Sequence, residues 1–224
     1  MKTGQAKKIT AFKELFKIAQ EGEFDHYCPG AGAHCLDPIR FSKPERQRAL
    51  NETLYNLANR KIINTVFRPY NVASVEEERR VIQLTLAAGA DPNYAHYYSF
   101  YYDPEPVFDA FIRNRKYHGA LEVAKTEGFC GPASQGTFEI LRDWLIFPES
   151  RDWPDPCDPA IISAVHTQEY TNKRELVYTL FSKGIYPYNP KIRQALQPVF
   201  EQEQKLKSTE KPREIRNTPR GGRS

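Results

Sequence analysis

The chain has 224 residues, of which 40% are apolar and 27% charged, with a mean hydropathy of -0.66. That length buries a continuous core without disulfide staples, and no apolar run approaches the ~18–20 residues needed to span a bilayer. The net charge of +4 sits in the last stretch, where residues 203–224 carry seven Lys or Arg against three acids and leave the rest balanced. A nucleic-acid binder ordinarily carries its excess charge on a folded face. The distribution therefore argues against nucleic acid as the main partner and leaves only weak binding through the tail.

Ala11, Phe12, Leu15, Phe16 and Ile18 form one helical stripe. Lys13, Glu14 and Lys17 interrupt the apolar run, so the segment reads as an amphipathic helix and not as a secretory signal. A glycine-rich loop follows, with His26, Cys28, His34 and Cys35 within ten residues. These are side chains that zinc prefers, and a thiol beside an imidazole is adequate chemistry for a nucleophile. An enzyme or metal-binding protein centred on this loop is thus the alternative reading. The spacing has no Cys-x-x-Cys or His-x-x-x-His, and no orienting acid can be singled out. No catalytic residue, metal or cofactor is assigned. The four cysteines, at 28, 35, 130 and 157, show no secreted framework and read as reduced thiols.

Pro44 is a suitable first-turn proline for a helix carrying Ala49, Leu50, Leu54, Leu57 and Ala58. Ser74 and Glu77 have capping-box spacing, Val81, Ile82, Leu84 and Leu86 follow, and Gly89 stands where a left-handed terminal residue belongs. This helix is apolar on more than one side, as a helix sandwiched in a stack would be. The charges from Glu76 to Arg80 read as a solvated helix start. Further helices are expected near 105–115, 118–127, 137–147, 159–169, 172–183 and 190–206. His118 and His166 suit structural hydrogen bonds. Trp144 reads as packed with Phe138, Leu141 and Leu145, and Trp153 stays open between packing and contact. Residues 203–224, with only Leu206 and Ile215 as large aliphatics, are expected to form a disordered basic tail after one domain of residues 1–202.

Residues 86–93, Leu-Ala-Ala-Gly-Ala-Asp-Pro-Asn, resemble the end of an ankyrin repeat, where a second helix stops at Gly before an Asp-x-Asn turn. In phase with them, Pro106 to Phe111 is similar to that family's first-helix start, Asn114 to His118 to its inter-helix turn, Leu121 to Ala124 to its second helix, and Gly128 to its terminal glycine. A third copy aligns Pro159 to Ala164 as first helix, Asn172 to Phe181 as second, and Gly184 as terminus; Thr10 to Gly22 is similar to a weaker first helix. The glycines are 39 and 56 residues apart against a family period of ~33. Insertions are therefore required, the largest being an extra helix at 137–147 and a proline-rich loop. The Thr-Pro-Leu-His signature is intact in no copy.

The resemblance implies an all-α, ankyrin-like helical solenoid with irregular insertions and helical caps, clearest over residues 52–188. It also implies a scaffold that binds a partner protein through projecting fingers and first helices, with no small-molecule substrate. The partner-binding residues expected are Asp91, Asn93, Tyr94, Tyr97, Tyr98, Tyr101 and Tyr102 of the finger and Arg113 of the adjoining helix. Tyrosine suits such a surface because it offers large contact area at low entropic cost. Short, degenerate arrays of this kind are similar to those that pathogens deliver into host cells. The reduced thiols point to a cytoplasmic protein, and that likeness implies the host cytosol if it is a translocated effector.

Overall fold

In the computed structural model, residues 2–20, 43–59, 72–97, 103–132, 134–146 and 159–210 are described. Among them are eight helices and one two-stranded ribbon, so the fold is all-α in all but a hairpin. The 26–35 loop, Trp153 and residues 211–224 lie outside the described residues.

Helices α1 (Lys2–Gln20), α2 (Lys43–Asn59) and α3 (Val72–Ala88) open the fold. Every member of the expected α2 stripe is buried, from Ala49 to Ala58. Thr53 and Tyr55 between them are buried as well, so this part of α2 is covered on more than one side, as a helix packed between neighbours is. Helix α3 starts at Val72, so Ser74 stands inside its first turn and not at the cap. Its end is as expected. Gly89 has φ +113°, and the Ala90 amide reaches back to Thr85 O at 3.1 Å, the bond that closes a glycine-terminated helix.

The chain then forms a finger: β1 (Ala95–His96) pairs antiparallel with β2 (Glu105–Pro106), and the Val107 amide donates to Tyr94 O at 2.8 Å. Helix α4 (Val107–Arg113) begins directly after β2, and α5 (Tyr117–Lys125) follows a tight turn. Arg115 takes φ +60° in that turn, and Asn114 holds it by donating to Ala58 O and Ala110 O. Helices α6 (Gln135–Ile146), α7 (Pro159–Ser182) and α8 (Pro190–Glu210) complete the described residues.

Two expectations are corrected. Pro159 to Ala164 and Asn172 to Phe181 belong to one continuous helix, α7, with no break near residue 170. The polar run there suggested a turn, yet it holds no Gly or Pro, and its polar side chains are used: Asn172 accepts from Arg79 at 2.6 Å and the Lys173 ammonium lies 4.5 Å from the Tyr117 ring centre. Residues 203–210, assigned to the tail, are the last turns of α8. Polar contacts hold them where aliphatics are few: Glu203 meets Arg174 at 2.7 Å, and Lys207 lies over the Tyr178 ring.

The packing forms two rows. Helices α1, α3, α5 and α7 lie side by side in one, and α2, α4, α6 and α8 in the other. Each odd-row helix from α3 onward also packs on the even-row helix that precedes it. One continuous apolar cluster runs between the rows from Leu15 to Leu196. In this arrangement α6, expected as an insertion, occupies the even-row place after α4. Among the described residues no helix is long and apolar enough to cross a membrane.

Candidate partner-binding surface

A positive-φ glycine follows three odd-row helices: Gly89 directly after α3, Gly184 two residues after Ser182 of α7, and Gly128 three residues after Lys125, where α5 has already stopped at an extended Thr126 and the glycine expected as its terminus lies in the turn beyond. The turns that follow are tied together and to α2. Gln47 donates to Gly89 O at 2.7 Å, and the Asp91 amide donates to Asn51 Oδ1 at 2.8 Å. Asn93 bridges to the next turn, donating from Nδ2 to Gly128 O and accepting from the Cys130 amide, both at 2.8 Å. Lys183 then donates to Thr126 O at 2.8 Å. This ladder fixes the level from which the finger projects.

The base of the finger is held by a carboxylate. Glu105 accepts from Arg113 Nε at 2.6 Å and Nη2 at 2.9 Å, a two-pronged pair that a guanidinium makes and an ammonium cannot. The same carboxylate accepts from Tyr55 Oη at 2.7 Å, while Arg113 Nη2 also donates to Asn59 Oδ1 at 2.7 Å. Tyr55 stacks on His96 with ring centres 4.5 Å apart. The hairpin is thereby clamped to the even row by α2 and α4 together.

Beside the clamp lies an open groove of about 740 Å³ between β2, the start of α4 and the start of α6. Pro104, Pro106 and Ile140 supply its apolar lining, and Asp103, Glu105, Asp109 and Arg113 its charges. Thr137 of α6 donates to Asp109 Oδ1 at 2.6 Å, which joins the two helices at the groove wall.

The expected contact residues divide by what they do. Tyr97 is 71% exposed and projects from the finger. Arg113 lines the groove. Asp91 and Asn93 are exposed and also bond to the chain itself, Asp91 by accepting from the Asn93 amide at 2.9 Å and Asn93 by bridging to the next turn. Tyr94 is half-buried against the core, and burial pushes its phenol up, with the Glu52 charge adding to the shift and Arg48 opposing it. Tyr98, Tyr101 and Tyr102 lie outside the described residues. Tyr55, Glu105, Asp109 and Thr137 were not singled out from sequence, because each acquires its role from a partner elsewhere in the chain; Asp103 lines the groove by position alone.

A second polar cluster is built differently. Glu78 of α3 is buried, and Lys116 at the start of α5 donates to its Oε1 at 2.5 Å and to Leu57 O of α2. His118 Nε2 donates to Glu78 Oε2 at 2.9 Å. Burial alone would raise the Glu78 carboxyl; the His118 hydrogen bond and the Lys116 charge outweigh it and hold the group below the ordinary carboxylate value. The expected structural bond of His118 is thus present, whereas Glu78 is no part of a solvated helix start; only Glu76, Glu77 and Arg80 of that run are exposed. Different residues line the groove beside the finger and a second one along α8, so this cluster joins three helices and faces neither.

Among the described residues no group of His, Cys, Asp and Glu is placed to hold a metal ion. No family model, no curated protein and no solved structure matches the chain.

Proposed function

We propose that the chain is a short ankyrin-like solenoid that binds a partner protein through its finger and the groove beside it. The observation that carries this reading is the pairing of a large, water-exposed aromatic with a rigid base. Tyr97 stands 71% exposed on a hairpin that Glu105, Arg113, Tyr55 and Asn59 lock to two helices. An aromatic side chain offers large contact area at low entropic cost, and a fixed base lowers the cost of ordering on contact. The two helix rows and the glycine-ended turns at 89, 128 and 184 support the solenoid part of the proposal. In such a stack, neighbouring units bury each other's apolar faces and leave the loops along one edge for recognition.

The test is affinity capture from a lysate with the wild type and a variant carrying Ala at Tyr97, Tyr98, Tyr101 and Tyr102. Circular dichroism establishes beforehand that both are folded. A stoichiometric partner that the variant loses is the expected result. A partner retained in full by the variant, or no partner at all, overturns the proposal.

A further inference from the structure

We infer that the free end of α1 attaches to an anionic lipid surface. Helix α1 carries five lysines and one glutamate, and that glutamate, Glu14, is already paired with Arg80 of α3 at 2.6 Å. The charge balance outside the tail therefore conceals a local excess at the other end of the chain. Lys7, Lys8 and Lys13 are exposed, and none of the three has an ion pair with a described residue. Packing explains why the excess stands clear of the fold. Glu14 meets Arg80, and a Cβ at Gly89 would lie 3.8 Å from the Lys8 ammonium. Helix α1 thus runs antiparallel to α3, and its first turns continue past the point where α3 stops. Lys2 to Lys7 extend about 9 Å along the helix axis. All five residues from Ala6 to Thr10 are exposed, more than a full turn, whereas Ala11 and Leu15 are buried.

Helical turns this few gain little stability from their own backbone in water, and a surface that takes both their charge and their apolar atoms would hold them. Ile9 decides the class of that surface. It is 52% exposed, with Lys8 beside it and Lys13 one turn further along the same face. Lysines alone would suit any polyanion. An aliphatic side chain set among them has no counterpart on a phosphate backbone. At a bilayer interface it enters the headgroup layer, while the lysine stems lie along that layer and their ammoniums reach its anionic groups. One isoleucine with three lysines gives a reversible attachment that salt screens.

The experiment is co-sedimentation of the full chain with vesicles of phosphatidylcholine containing about 30% phosphatidylserine, at low and at high salt. The chain should partition onto them at low salt and be released at high salt. Replacing Lys7, Lys8 and Lys13 together by Gln should weaken partition at least tenfold, and Ile9→Ser should weaken it less. Replacing Arg213, Arg216 and Arg220 by Gln removes the same charge from the tail and should leave partition in place. No partition at low salt, equal partition onto phosphatidylcholine alone, or full retention by the three-lysine variant overturns the inference. A loss confined to the tail variant makes the tail the site and overturns it as well. An unchanged Ile9→Ser chain that binds RNA as tightly as vesicles shows a general polyanion site, which removes the assignment to lipid. None of these changes touches the finger, so partner capture that depends on Tyr97 stands or falls separately.

Discussion

The chain uses a carboxylate with a cation in two places, and burial separates what they do. At the α3–α5 joint, Glu78, Lys116 and His118 are almost wholly enclosed, and each is held by bonds from another helix. At the finger base, Glu105 is partly covered, while half of the Arg113 side chain is open to water. An enclosed pair costs several kcal/mol per ion to desolvate and stays stable only while every member is present. A half-exposed pair is screened, contributes little to stability and keeps a face available to a partner. The first fixes how helices register; the second fixes where a surface points.

The largest effect is expected from Glu78→Ala, which takes the carboxylate away from both a buried ammonium and a buried imidazole. It should cost about 3–5 kcal/mol in denaturant unfolding, whereas Glu78→Leu combined with Lys116→Met should cost less than Glu78→Ala, because the ammonium leaves with its carboxylate and only the His118 bond is lost. The pH profile carries the same signature. Since the folded-state pKa of Glu78 is depressed, its stabilisation is complete above the unfolded-state value and is lost as pH falls through the folded-state value. The Glu78→Leu, Lys116→Met chain should lack that component of the acid-side loss.

Next in size is Gly119→Ala. The added Cβ would lie 2.4 Å from Phe111 Cε1, on a ring that is fully buried and has nowhere to retreat. Overpacking of about 1–3 kcal/mol should exceed the gain of about 1 kcal/mol that Ala has over Gly in a helix, so thermal unfolding should shift downward. Asn93→Ala removes both bonds between the turns at 89 and 128 and should cost about 1 kcal/mol, since water can reach the freed groups. Faster amide exchange at Cys130 would accompany it. Tyr97→Ala should leave stability within about 0.5 kcal/mol while weakening partner binding. A stability loss comparable to that of Asn93→Ala would mean that the ring packs and does not present itself.

What was legible in the sequence follows the range of each interaction. The α2 stripe and the glycine that ends α3 are local patterns, and they stand where helical spacing puts them, whereas α5 stops at Lys125, three residues short of Gly128. The single helix α7 was not legible, because Asn172 and Lys173 look like turn residues until Arg79 and Tyr117 are brought against them. Glu78 was hidden for the same reason: its neighbours Glu76, Glu77 and Arg80 are exposed, and nothing in the run shows that one carboxylate turns inward. At the surface, Tyr97 and Arg113 were accessible to composition and register. Glu105 and Tyr55 were not, since the clamp exists only when residues fifty apart in the chain meet.

Amide hydrogen exchange on the full chain, with and without the captured partner, tests the central claim most directly. Protection should be confined to the finger around residues 95–106, to α4 and to the start of α6 near Gly136 to Ile140. Protection centred on α1 or on the last turns of α8, with the finger unchanged, would contradict it.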